Sequence, residues 1–181
     1  FSSANYHKKY VFIDYTKEQG YDELIDLIKQ ANVVICNFKY GYDVKLKLDY
    51  QTLKKVNPSL IYASIEGFKD VPKRTAFDVV LQAETGYLSM NGTPTSGVVK
   101  LPVAFIDLFA AHQLKEGVLI ALLKQQTNKI TYKVTTNLQE SALASLANQA
   151  TNYLMNGHIP APLGTIHPNI APYGEVFITK D

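Results

Sequence analysis

Cysteine, tryptophan and methionine are scarce in this 181-residue chain, which carries one, none and two of them. The lone cysteine, Cys36, excludes an internal disulfide. It follows Val33, Val34 and Ile35 and reads as a small buried hydrophobe. Nothing here calls for an oxidising compartment, so a cytoplasmic location is expected. Charge of one sign is equally short: 18 Lys and Arg face 16 Asp and Glu, a net +2. No block of five or six like charges occurs, so a nucleic-acid partner is not expected. No apolar run reaches the ~18 residues of a membrane span. Residues 1–10 are polar and aromatic, without the apolar centre of a signal peptide. The Gly-x-Gly-x-x-Gly fingerprint and the Walker A loop are both missing, so any nucleotide-like ligand must be held another way. His112, His158 and His167 stand without ligand spacing, and no metal site is expected.

The composition, 46% hydrophobic and 19% charged, is that of one ordinary globular core. Strand and helix signals alternate, which predicts an α/β architecture, a Rossmann-like alternation with a parallel sheet. Residues 10–14 are strand-prone. Thr16 suits an N-cap, followed by Glu18 and Gln19 in a first turn and by Leu24, Ile25, Leu27 and Ile28 at helical spacing. Residues 33–36 read as a buried strand and 37–41 as a loop. Asp49 suits the cap of a helix carrying Leu53 and Val56, stopped by Asn57 and Pro58. A strand at 60–65 and a helix at 77–88, interrupted or ended near Gly86, come next. Residues 92–97 form a loop by residue type. A long helix over 107–126, a strand over 129–135 and a second long helix over 138–153 complete the ordered part. From Gly157 the chain is rich in proline, glycine and histidine and reads as extended.

Asp107 is the first candidate for chemistry. It follows the apolar residues 101–106 and opens an apolar helix. Free backbone N–H groups and the helix dipole would stabilise its charge there. Two readings stand side by side. One is an N-cap, the common role of Asp at such a place. The other is a carboxylate held where water is scarce, able to attack an activated carbonyl. The loop of Asn37, Phe38 and Lys39 follows a buried strand, where α/β sheets bind ligands; a plain turn is the alternative. Lys45 and Arg74 suit phosphate, or a solvated surface.

Taken together, the motifs resemble the class III CoA-transferases, a family that also includes α-methylacyl-CoA racemases. Ala31 to Phe38 is similar to the family's segment ADVVVENF. Asn57 to Ile65 with Gly67 and Phe68 is similar to its NPRLIYASISGF. Phe77, Asp78, Gln82, Ala83 and Gly86 match YDLIAQAMSG, and residues 102–107 match the approach to the nucleophile. Residues 167–173 match HPNIAPY. The blocks occur in the family's order at near-family spacing.

The resemblance implies a CoA thioester as ligand and substrate and a carboxylic acid as second substrate. It places Asp107 at the catalytic aspartate. It places Asn37, Phe38, Lys39 and Lys45 in the CoA-binding loop region, with Lys45 where an arginine is usual. Arg74, Thr75 and Phe77 fall along the pantetheine path, and Asp14, Tyr15 and Thr16 near the adenine. The implied reaction transfers CoA between an acyl-CoA donor and an acid through a covalent aspartyl intermediate. The racemase branch, or a CoA-binding fragment without activity, is the alternative; Phe77 stands where racemases carry histidine. The resemblance further implies an interlocked homodimer. Residues 1–155 are expected to form an α/β CoA-binding domain truncated at its N-terminus, and 156–181 a linker toward a second domain.

Overall fold

The computed structural model describes residues 2–171 and 174–181. Its strands are β1 (Val33–Cys36), β2 (Ile61–Glu66) and β3 (Tyr132–Asn137). They form one parallel sheet in the order β1-β2-β3, with Val33 opposite Ile61 and Ile61 opposite Tyr132. The central strand β2 is covered on both faces, and Ile61, Tyr62 and Ala63 are at most 2% exposed. Double coverage explains why it reads as an unbroken apolar run. The edge strand β1 departs from the expected buried strand: Ile35 is 67% exposed. Cys36 is only half-buried, and its thiol donates to the Tyr62 hydroxyl at 3.1 Å. β3 begins later than 129, because Ile130 N–H bonds back to Asn128 O in the turn that precedes it.

The helices are α1 (Ser2–Asn5), α2 (Glu18–Gln30), α3 (Tyr42–Lys45), α4 (Tyr50–Val56), α5 (Asp78–Glu84), α6 (Tyr87–Met90), α7 (Phe105–Gln125), α8 (Leu138–Ser145) and α9 (Asn148–Asn156). α4 forms as its sequence dictates. Asp49 accepts from the amides of Gln51 and Thr52 at 2.9 and 3.1 Å. Burial opposes its charge, but the Thr52 hydroxyl and these amides hold the carboxyl below its ordinary value. Asn57 then ends α4 and also closes α2. Its buried amide donates to Ile28 O at 3.0 Å, which also accepts from the Ala31 amide, and to Ala31 O at 2.9 Å, a carbonyl just past the helix end. α2, α4 and β2 share a core of Ile28, Leu48, Leu53, Leu60 and Tyr62. A second cluster, Phe68, Leu81, Ile106 and Ala142, lies past the carboxyl end of β2.

Three expectations fail for tertiary reasons. Residues 10–14 form no strand; Tyr10, Val11 and Phe12 are exposed, and the segment folds back so that Asp14 O touches Gly20, where a Cβ would collide. The N-cap of α2 is Lys17, while Thr16 gives its hydroxyl to Asp14. The helix expected over 138–153 breaks at Ala147, which takes φ +49°. Beyond the break, α9 brings Asn148 and Asn152 onto Asn169 of the tail. Pro172 and Tyr173, at the end of the HPNIAPY-like motif, lie outside the described residues.

The direction of α7 places the candidate site. Its last turn meets the start of β2, where Gln125 Nε2 donates to Ser59 O at 2.6 Å. Its middle crosses β3 at Gly117, where an added Cβ would lie 2.5 Å from Val134. Near its start, Ala110 O accepts from the hydroxyl of Thr136 at 3.5 Å. α7 therefore runs against the strands and delivers its N-terminus to their carboxyl edge, where α/β sheets place ligands. Among the described residues no helix is long and apolar enough to cross a membrane.

Candidate active site

α7 begins at Phe105, two residues before Asp107, and its N-cap Ala104 has no capping side chain. The first amides of the helix still need acceptors. Asp78, at the start of α5, supplies one: its Oδ2 lies 2.7 Å from Ile106 N and 3.3 Å from Asp107 N. Asp107 thus does not cap its own helix, and the capping reading of that residue is overturned. Gln82 anchors the arrangement. Its Nε2 donates to Asp78 Oδ1, and its Oε1 accepts from Leu101 N at 2.9 Å.

The Asp107 carboxyl has no hydrogen bond or ion pair among the described residues. Partial burial, and then the charge of Asp78, push its pKa above the ordinary carboxylate value. The carboxyl is nonetheless exposed in this chain, contrary to the expected water-poor setting. Its neighbours are apolar and uncovered: Val103 and Leu108 are exposed, and Phe105 stacks on Phe109 with centroids 6.0 Å apart. An acidic residue among uncovered apolar side chains becomes dry only when another surface closes over it.

The loops after β1 and β2 meet at the same edge. Tyr40 and residues 71–74 line one shallow cleft of about 240 Å³. Arg74 lies 4.5 Å over the Phe68 ring and forks onto both carboxylate oxygens of Glu84. Phe68 packs with Ile106, the neighbour of Asp107. The cleft beside Tyr40 and the packing of Arg74, Phe68 and Ile106 thus lead from the β1 loop toward the first turn of α7. Asn37, Lys39 and Thr75 are exposed, and Phe77 is exposed beside Asp78 in sequence. Lys45 holds its ammonium 5.6 Å from the Tyr42 ring centroid. Phe38 is partly committed to the core of Ile28 and Leu48. It also lines a groove of about 350 Å³ with Tyr15. Asp14 and Thr16 sit apart, against the start of α2. The Thr16 hydroxyl, Lys17 and the Thr16 amide hold the Asp14 carboxyl below its ordinary value.

Asp78 and Gln82 were missed as site residues. The available signal was their i, i+4 spacing in an otherwise apolar stretch, since an amide at a core position needs partners. His112 pairs through Nδ1 with Lys115 Nζ at 3.0 Å, on the surface. No group of three His, Cys, Asp or Glu able to hold a metal ion occurs among the described residues.

The profile of CoA-transferase family III matches residues 1–181. The chain belongs to that family. It is 35% identical over 188 residues to the succinate–glutarate CoA-transferase of Agrobacterium fabrum, covering 99% of this chain and 47% of that protein. It is 28% identical over 183 residues to the human succinyl-CoA:glutarate CoA-transferase, covering 99% of this chain and 41% of the relative. The crystal structure of a CAIB/BAIF family protein from Brucella suis superimposes with a TM-score of 0.86 at 36% identity, over 92% of this chain and 45% of that one. This family III chain therefore spans about half the length of the relatives it matches, and its parallel α/β fold is that of its solved neighbour.

Proposed function

We propose that the protein transfers CoA between an acyl-CoA donor and a carboxylic acid acceptor, with Asp107 as the carboxylate that is acylated. The observation that carries this reading is the state of Asp107. It sits in the first turn of α7 at the carboxyl edge of the sheet, relieved of capping by Asp78 and without a hydrogen-bond or ion-pair partner among the described residues. A carboxylate so placed is available as a nucleophile. The relatives named for succinate, glutarate and mesaconate favour small dicarboxylates as the acids exchanged.

In the proposed cycle the Asp107 carboxylate attacks the donor thioester carbonyl. The C–S bond breaks and CoA leaves as thiolate, giving a mixed anhydride. The thiolate then attacks the Asp107 carbonyl of that anhydride and releases the donor acid as carboxylate. The acceptor carboxylate attacks the resulting aspartyl thioester, again expelling the thiolate. Finally the thiolate takes the acceptor acyl group and frees Asp107. Each intermediate is hydrolysable, so the exposed face around Val103, Phe105 and Leu108 must be covered during turnover. We assign that cover to the rest of the protein and to a second subunit of a homodimer.

Residues 1–155 act in this reading as the CoA-binding domain and 156–181 as the connection onward. Asn37, Phe38, Lys39 and Lys45 meet CoA from the β1 side, and Arg74, Thr75 and Phe77 from the β2 side. Asp14, Tyr15 and Thr16 lie toward the adenine. Arg74 either keeps Glu84 and presents the outer face of its guanidinium, or exchanges Glu84 for phosphate. Proton exchange at an α-carbon has less support: Phe77 carries no proton, and the named relatives are transferases.

The test is incubation of the intact protein with succinyl-CoA, then digestion and mass spectrometry. A hydroxylamine-sensitive adduct on Asp107 is expected, and Asp107→Ala should lower turnover by on the order of 10⁴-fold or more. Near-native turnover by Asp107→Ala would defeat the proposal.

A further inference from the structure

Gln82 is 1% exposed, on a helix whose other buried residue is Leu81. Leucine or methionine would fill the same space. A buried amide costs free energy unless both its ends are bonded, and here both are. The polarity is dictated by the partners. Leu101 N–H can only donate, so it takes Oε1; the Asp78 carboxylate accepts, so it takes Nε2. Asp78 then spends its other oxygen on the amides of Ile106 and Asp107. One side chain thus controls both ends of residues 101–106, the segment that feeds α7. Pro102, Val103 and Ala104 within it are exposed and offer little packing of their own.

We propose that Gln82 is a positioning residue for the reaction at Asp107: it aims the Asp78 carboxylate at the first amides of α7 and so sets where Asp107 stands. The proposal rests on the reading of Asp107 as the acylated carboxylate. Gln82 touches neither substrate nor the reacting atoms. It acts on the backbone of the nucleophile and on the negative charge beside it.

The experiment uses the intact protein with succinyl-CoA and glutarate, measuring kcat, KM, the pH–rate profile and thermal stability. Gln82→Met keeps the volume and removes both hydrogen bonds. Its kcat should fall about 10–100-fold, as misplacement of a reacting group by ~1 Å does, with KM for the donor within about threefold. The acidic limb of its profile should shift, because the Asp78 charge is no longer held beside Asp107. Gln82→Glu still accepts from Leu101 but sets a second carboxylate against Asp78. Its relative activity should recover as the pH falls and that pair shares a proton. Should Gln82→Met fail to fold, the profile of Gln82→Glu decides alone. The proposal is overturned if both variants keep native kcat, or if they lose activity only in step with stability while the pH profile stays put. Absence of an Asp107 adduct in the unaltered protein would instead defeat the reading of Asp107, whatever the Gln82 variants do.

Discussion

Asp78 and Asp107 are both carboxylates at helix starts, yet they should respond oppositely to truncation. Asp78→Ala removes the acceptor shared by the amides of Ile106 and Asp107. Loss of such a cap costs about 1 kcal/mol. It also strands the buried Nε2 of Gln82, which adds roughly 1–3 kcal/mol. The sum is about 2–4 kcal/mol, or roughly 5–15 °C in melting temperature for a unit of this size. Asp107→Ala removes no hydrogen bond. It forfeits about 0.3–1 kcal/mol of favourable interaction with the helix dipole, offset by relief from the charge of Asp78. Its net effect on stability should stay within about 0.5 kcal/mol, as for other surface changes, while acylation disappears. Thermal denaturation followed by circular dichroism, run beside the succinyl-CoA adduct assay, reads both quantities. A larger stability loss in Asp107→Ala than in Asp78→Ala would refute the division of labour, since it would mean Asp107 does the capping.

Four further outcomes follow from the structure. The Asp107 carboxyl, followed by ¹³C NMR, should titrate above its ordinary 3.8 and move down in Asp78→Asn, because that change deletes a like charge. With its folded pKa above the unfolded one, Asp107 favours the fold below the unfolded pKa and loses that contribution as pH rises through the folded value; urea midpoints of Asp107→Asn should therefore fall less than native ones from pH 3.8 upward, and an identical pH slope would refute the shift. Asn57→Ala takes the side-chain donor from the Ala31 carbonyl and leaves Ile28 O with the Ala31 amide alone, and should cost roughly 1–3 kcal/mol in urea denaturation, whereas an unchanged midpoint would show that water replaces the amide. Gly117→Ala ought to be destabilising by about 1–3 kcal/mol from overpacking against Val134, despite alanine's ~1 kcal/mol helix advantage, and Val134→Ala in the same chain should recover most of it.

What was legible in the sequence is what local chemistry decides. β2 could be placed because a strand covered on both faces must be apolar throughout, and residues 61–63 are. α4 could be bounded because Asp49 caps it from one residue away and Asn57 with Pro58 stops it. The misplaced elements depend on distant partners. β1 carries the residues of a buried strand, but nothing in residues 33–36 tells that it lies at an edge of the described sheet. The break at Ala147 has no glycine or proline to mark it. It accompanies contacts with Asn169, 21 residues beyond Asn148.

The candidate site shows the same limit more sharply. An aspartate in the first turn of an apolar helix looks alike whether it caps that helix or is spared the task, because the orphan amides are present in both cases. What separates the two is a second acid, 29 residues earlier, whose carboxylate already occupies those amides. No local pattern around Asp107 reports that. The pairing depends on α5 and α7 packing together through Leu81 and Ile106. Likeness to a family could bring the eye to Asp107, but only the fold shows what leaves its carboxylate unspent, and that role falls to Asp78 and Gln82.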